Sequence, residues 1–297
     1  MNVLRVGLRR CSRVRRFSSA STSNLSEIQS EFTRQSTGFE SAWTARNTQS
    51  TESIMAKVLR QVELQAGPID STSRALDVAT GTGIFARTIL PLCAKVTGLD
   101  ATEAMLDQAR KAVSSLPNSD AIDFITGDAG AMPFADNSFD LVVSRLAIHH
   151  FPEPEAQAKE IARVTRPGGR AILVDLVSPD DPDAASSLNH LETLRDPSHT
   201  TSLTLSSLRD LLSKQGFDVK VGDDEEAFGL IDNVMDFEGW MESTSTDAEH
   251  RTVIRERIEK ELDGTGPATG MYPFVDESDG KIKFVHKWAV VQGLVPE

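Results

Sequence analysis

Between Arg74 and Leu176, short apolar runs alternate with stretches of helical periodicity, and this narrows the architectures open to the chain. Arg74–Ala79, Lys95–Leu99, Ile122–Thr126, Phe139–Ser144 and Arg170–Leu176 read as buried strands. Ile84–Leu90, Glu103–Val113 and Glu155–Thr165 fall between them with apolar residues three or four apart. Parallel strands need long crossovers, usually helical, so this alternation predicts an α/β fold with a parallel sheet and helices on both faces. Downstream, Ala184–Leu194 and Ser206–Gln215 read as helices, the second ended by Gly216. Phe217–Val221 reads as a strand, Ile231–Met241 and Asp247–Leu262 as helices, and Lys281–Val291 as a last strand after an Asp279-Gly280 turn. Upstream, Ile28, Phe32, Gln35 and Phe39 form one helical stripe and Ile54, Val58, Leu59 and Val62 another, closed by Gly67-Pro68.

Composition removes several alternatives. The 297 residues are 39% hydrophobic and 25% charged, an ordinary globular balance. No run of 18 apolar residues appears, so no transmembrane segment is expected. Cys11 and Cys93 cannot make a disulfide framework. Six scattered histidines with no H-E-x-x-H spacing give no expected metal site. The net charge is −13, and six arginines (5, 9, 10, 13, 15 and 16) crowd the first twenty residues, so the rest is more acidic still. A body of that charge repels a phosphate backbone, and nucleic acid is not an expected partner. Met1 to Ser26 is Arg- and Ser-rich and free of acids, the composition of an organelle transit peptide, with mitochondrial delivery to the matrix and removal near Phe17-Ser18-Ser19 expected, and a plastid address or an uncleaved basic tail as the alternatives. The expected layout is therefore a leader over 1–26, an N-terminal helical lid over 27–70 and a main domain over 71–297. Within that domain, a core spans 74–176 and a helical insertion about 180–215.

The turn after the first strand carries the chemistry. Leu76-Asp77-Val78-Ala79-Thr80-Gly81-Thr82-Gly83 places glycines where a backbone bends sharply and approaches a ligand. It lacks the third glycine of G-x-G-x-x-G and the G-x-x-x-x-G-K-[ST] phosphate loop, which argues against a nicotinamide dehydrogenase. Asp77 would repel a pyrophosphate but suits a ligand carrying an ammonium group. Asp100 closes the second strand, where a carboxylate can accept both hydroxyls of a ribose.

These segments resemble the class I S-adenosylmethionine-dependent methyltransferases. The resemblance is narrower to the methyltransferase type 11 group, which includes the ubiquinone/menaquinone C-methyltransferase-like enzymes. The other matching blocks are Gly98-Leu99-Asp100-Ala101 with Met105-Leu106, Gly127-Asp128-Ala129 with Pro133-Phe134, Ser138-Phe139-Asp140, His149-His150-Phe151 and Arg166-Pro167-Gly168-Gly169. The resemblance implies a Rossmann-like seven-stranded methyltransferase sheet with a helical insertion over the substrate site, and S-adenosyl-L-methionine as cofactor. By position, Ala79, Thr80, Gly81, Thr82 and Gly83 would wrap the methionine portion, with Asp77 near its amino group. Asp100 would hold the ribose, Ala101 and Met105 would flank the adenine, and Asp128 with Ala129 would meet its edge. Ser144 and Arg145 would border the methionine carboxylate and the substrate opening. Ala79 departs from the pattern, since many relatives have glycine there.

On the substrate side, His149 and His150 follow the fourth strand at the carboxyl edge of the sheet, as a base or hydrogen-bond donor, or as packing and capping residues of the loop. The run Glu192-x-x-Arg195-Asp196-Pro197-Ser198-His199 matches a subset of type 11-like enzymes. Its Asp-Pro-Ser turn would let Arg195 and His199 project together toward an anionic or phenolic acceptor; a local Arg195–Asp196 pair is the plainer alternative. Phe32, Gln35, Phe39 and Trp43 resemble the start of that subset, either as a lid or as core-facing aromatics. The expected function is methyl transfer to a small-molecule acceptor; the competing expectation is a methyltransferase-fold assembly factor without catalysis.

Overall fold

The computed structural model describes residues 19–36, 71–220 and 230–297. Helix α1 (Ser19–Gln35) precedes strand β1 (Arg74–Val78), α2 (Ile84–Ile89), β2 (Lys95–Asp100), α3 (Glu103–Val113), β3 (Ile122–Thr126) and β4 (Phe139–Arg145). A single 3-10 turn, Ile148–His150, leads to α4 (Pro154–Val164) and the long β5 (Thr165–Leu176). Then come α5 (Pro182–Arg195), α6 (Leu205–Ser213), β6 (Asp218–Lys220), β7 (Leu230–Asp236), α7 (Phe237–Ser243), α8 (Ala248–Leu262), β8 (Phe274–Val275) and β9 (Ile282–Leu294). The α5 to α8 helices start on side-chain caps: Asp181, Thr204, Asp236 and Asp247 each accept a backbone N–H of the first turn. Each such cap stabilises its helix by about 1 kcal/mol.

The sheet runs β3-β2-β1-β4-β5-β9-β6. The pairs among β1 to β5 are parallel, and β9 is antiparallel to β5. The seven-strand path is thus present, but the sheet has nine strands, because β9 is long enough to outrun β5. Its first half pairs antiparallel with β7 and β8 instead. Helices cover both faces, over one core cluster centred on Phe85, Ile89, Val96 and Val143 and another on Leu76, Val142, Ile161 and Leu173. A third cluster (Leu188, Leu191, Phe237, Trp240, Ile254, Ile258 and Phe284) lies under α5, α7, α8 and the first half of β9. Helix α6, by contrast, packs Leu208, Leu211 and Leu212 onto the main sheet.

One element differs in kind from its sequence expectation. Ile231–Met241 reads as one helix but forms strand β7 followed by helix α7. Asp236 Oδ1 accepts the Gly239 N–H at 2.8 Å, which starts a helix only at Phe237. Upstream of that cap, Leu230 and Val234 face outward while Asn233 faces in, laddered to β9 from Ala289 to Lys283. The spacing of Ile231, Val234 and Met235 suits a helix stripe as well as a strand, and long-range pairing decides it. At the amino end, α1 begins at Ser19, inside the segment read as a leader. Phe39, Trp43 and the Ile54–Val62 stripe lie outside the described residues.

Candidate functional site

The β1–α2 turn is fixed by hydrogen bonds among neighbours. Thr80 donates its N–H to Leu99 O at 3.0 Å and its hydroxyl to Asp77 Oδ2 at 2.6 Å, and Gly83 N–H donates to Thr80 O at 2.9 Å. Asp100 straps the turn to β2: Oδ2 accepts the Gly81 N–H and Oδ1 the Thr102 N–H, both at 2.8 Å. Gly81 sits at φ +55°, and a Cβ there would meet no protein atom within 4 Å. Gly98 is small for the opposite reason, since a Cβ would strike the Phe124 ring at 2.7 Å. Ala79 also has φ +55°. A left-handed alanine costs about 1–2 kcal/mol, which is the physical reason glycine suits this position.

Over this turn lies a cavity of about 430 Å³ at the carboxyl edge of β1, β2 and β4. That volume is within the range of small-molecule and cofactor sites. Ala79, Thr80, Gly81, Thr82, Asp100, Ala101, Met105, Asp128, Ala129 and Arg145 line it, as the sequence places them, and so does His150. Three expected cofactor residues do not. Asp77 is buried beneath the turn, and burial pushes its carboxyl up to about 7 against the Thr80 hydroxyl and the Arg145 guanidinium. It holds the loop and does not face the cavity. Gly83 packs on Phe124 and Ala109, and Ser144 is buried, donating its hydroxyl to Val78 O at 3.1 Å. Leu25, Ile28 and Phe32 of α1 close the cavity, with Gln29 Nε2 donating to Ala101 O at 2.8 Å. On its wall, the buried Thr82 Oγ1 and Gln157 Oε1 have no hydrogen-bond partner among the described residues.

A second chamber of about 130 Å³ adjoins the first, sharing Phe32, Leu146 and His150 with it. Leu146 holds φ +52° at this junction, a strained conformation for a bulky residue. The chamber is lined by Trp240 and Trp288, with His149, Arg195, Asp196, Asp236 and His286 among the polar residues. His149 Nδ1 lies 2.5 Å from Asp175 Oδ1, and Asp175 Oδ2 accepts the Ile148 N–H at 2.6 Å. Burial would raise Asp175, but His149 beside it and the Leu176 N–H hold its carboxyl below the usual range. His150 Nδ1 lies 3.0 Å from the Ser198 carbonyl, which only accepts, so this nitrogen carries the proton and Nε2 keeps its lone pair. Burial, with His149 beside it, lowers His150 to about 4. Ser198 in turn donates its hydroxyl to Asp196 Oδ1 at 2.5 Å.

The expected Asp-Pro-Ser turn is present, but Arg195 and His199 do not act as a pair in one opening. Arg195 faces the second chamber, its guanidinium 5.0 Å over the Trp240 ring and 2.9 Å from Glu192 Oε2. His199 lines neither cavity; its Nε2 meets Asn189 Oδ1 at 2.8 Å, and burial lowers it to about 3. The residues that sequence reasoning missed are Asp175, Trp240, His286 and Trp288, and of Glu192 it saw only the start of the Arg195 motif and not the buried pair. No local motif marks the four, because strands β5 and β9 and helix α7 bring them together. Among the described residues, no cluster of His, Cys, Asp or Glu suits a metal ion, and no helix is long and apolar enough to cross a membrane.

Residues 76–173 match the family described as "Methyltransferase domain". The methyltransferase YcgJ of Bacillus subtilis is 36% identical over 140 residues, 47% of this chain and 55% of that protein. Its crystal structure superimposes with a TM-score of 0.70 at 26% identity, covering 82% of this chain and 98% of the other. The ubiquinone/menaquinone biosynthesis C-methyltransferase UbiE of Roseobacter denitrificans is 39% identical over 104 residues, 34% of this chain and 42% of that protein. The matched segment spans about half the length of these curated relatives. By its glycine turn, its carboxylate strap and these likenesses, the segment 76–173 is a class I S-adenosylmethionine-dependent methyltransferase domain of the type 11 group.

Proposed function

We propose that this protein transfers a methyl group from S-adenosylmethionine to a small-molecule acceptor, with the cofactor in the larger cavity and the acceptor entering from the smaller. The observation that carries the reading is the Asp100 strap. One carboxylate, held by the Gly81 and Thr102 N–H groups, stands at the edge of a 430 Å³ cavity with acceptor capacity left on both oxygens for a vicinal diol. The unpartnered Thr82 hydroxyl and Gln157 carbonyl add one donor and one acceptor that a polar ligand would satisfy.

The cofactor, when bound, supplies an electrophilic methyl group on a sulfonium, transferred by in-line displacement. The chain's own residues align and dry that step. Ala101 and Met105 would flank the adenine, Asp128 would meet its edge, and the Ala79–Thr82 backbone would wrap the methionine portion. Phe32, with Leu25 and Ile28, covers the cavity and excludes water. His149, its ring oriented by the 2.5 Å contact of Nδ1 with Asp175 Oδ1, would take the proton from an acceptor that must lose one. His150, neutral at the junction, offers Nε2 as a hydrogen-bond acceptor. We read residues 1–26 as a mitochondrial targeting segment. Imaging of the full chain fused to a fluorescent protein, with and without those residues, tests that address.

The test of the activity is incubation of the protein with methyl-labelled S-adenosylmethionine and a mitochondrial metabolite extract. A labelled small molecule that forms with the parent protein and not with Asp100→Ala supports the reading. No labelled product in any fraction contradicts it.

A further inference from the structure

The second chamber holds a guanidinium on its wall, the usual mark of a site for anions, yet that charge is already spent. Arg195 places both Nε and Nη2 2.9 Å from Glu192 Oε2. Glu192 is completely buried behind the chamber wall, and His286 Nε2 approaches its other oxygen at 3.0 Å. Burial alone would raise the Glu192 carboxyl, but Arg195 and His286 hold it well below the ordinary range, so it stays ionised. Arg195 is the one permanent cation among the described residues lining the chamber, while Asp196 and Asp236 add two carboxylates to the same wall. Asp196 is held ionised too: burial opposes it, but His150, Arg195 and the Ser198 hydroxyl outweigh burial. The remaining lining is aromatic and aliphatic: Phe32, Leu146, Leu176, Met235, Trp240 and Trp288. Trp240 Nε1 is buried there without a partner, a donor suited to a neutral oxygen. A volume of about 130 Å³ is close to that of an engineered apolar cavity that takes up a benzene ring.

We infer that Glu192 sets the charge selectivity of this chamber: by cancelling Arg195 it makes the chamber a receptor for ring-sized acceptors that carry no negative charge and closes it to anions. Arg195 is then a positioning residue that orients the Trp240 ring and the α5 end, and not an anion clamp. The inference rests on the proposed methyl transfer, since it names the acceptor class of that same site. It adds a specificity-determining residue that touches neither cofactor nor acceptor. Of the sequence expectation that Arg195 and His199 together receive an anionic or phenolic acceptor, it removes the anionic half. An anionic acceptor entering here would meet Asp196 and Asp236 beside an Arg195 already paired with Glu192, while Lys281, 3.9 Å from Asp236, and Arg34, paired with Glu31, lie outside the lining; like charges brought together in a dry site are strongly unfavourable.

Two near-isosteric ring probes test this: benzamide (neutral) and benzoate (anionic), titrated by ligand-observed NMR into the full protein saturated with S-adenosylhomocysteine. Benzamide should bind, with benzoate weaker by at least about tenfold. In Glu192→Gln, which frees the guanidinium while keeping the side-chain shape, benzoate should gain at least about tenfold and overtake benzamide. Ser243→Leu, which fills the chamber beside Arg195, should abolish binding of the preferred ring. Benzoate binding as tightly as benzamide in the parent protein overturns the inference, and that comparison stands if Glu192→Gln fails to fold. An unchanged benzoate-to-benzamide ratio in a folded Glu192→Gln protein overturns it as well, as does ring binding that survives Ser243→Leu. Calorimetry of S-adenosylhomocysteine alone separates this result from the cofactor reading. Absent heat there, with the probe order as stated, removes the cofactor and leaves the chamber.

Discussion

The two cavities share Phe32, Leu146 and His150, yet they are built by opposite means. The larger is made by backbone: N–H groups of the β1–α2 turn and of Thr102 converge on Asp100, and nearly every wall residue sits within a few positions of a strand end. The smaller is made by side chains from α1, the β4 edge, β5, α5, α7 and β9, locked by one buried ion pair. A backbone-built site tolerates changes of side chain away from its strap. A site held by a buried charge pair does not, because removing one partner strands the other.

That contrast is sharpened first by Arg195→Ala, which leaves Glu192 buried without its guanidinium. Urea unfolding should show a loss on the order of 3–5 kcal/mol, while S-adenosylhomocysteine affinity in the folded protein stays unchanged. Equal loss of both would place Arg195 in the cofactor site. Next in size, Asp100→Ala removes two charge-assisted backbone bonds and the proposed ribose ligand. Calorimetry should show cofactor affinity falling by more than about thirtyfold, and an unaltered affinity would break the backbone account.

The third comparison is with pH. His199 is held down near 3 in the folded state against 6.5 in its ordinary form. Below pH 6.5 the unfolded chain takes up a proton that the folded one refuses, so this residue makes stability fall as the pH drops. Between pH 7 and 4.5 the parent should lose about 2–3 kcal/mol relative to His199→Gln. Parallel pH curves for the two proteins would mean that His199 is open to water. The smallest effect belongs to Ala79→Gly. Relief of the left-handed alanine, less the entropy of a new glycine, should raise stability by up to about 1 kcal/mol, read as a higher urea midpoint.

The same contrast explains what could be read in advance. The sheet from β1 to β5 was legible because apolar runs and helical spacing report local structure, and Asp100, Thr80 and Gly81 were legible because loop chemistry is local. Asp77 and Gly83 belong to the same turn and Ser144 to the adjoining end of β4, but spacing does not separate a residue that faces a ligand from one that holds the loop beneath it. Strand β7 was misread because Ile231, Val234 and Met235 fit either period, and the partner that settles it, β9, lies some fifty residues on. Asp175 and His286 carried no signal at all, because each becomes meaningful only beside His149 and Glu192, which the tertiary fold supplies. Glu192 stood in the Arg195 motif, three residues ahead of its partner, but its complete burial was not legible there.

The central claim is that the Asp100-edged cavity holds S-adenosylmethionine, and calorimetric titration of the full-length protein with S-adenosylhomocysteine tests it most directly. The account predicts saturable one-to-one binding that Asp100→Ala removes and that a nicotinamide dinucleotide does not reproduce. No heat with S-adenosylhomocysteine, or an equal response to the nicotinamide dinucleotide, would contradict it.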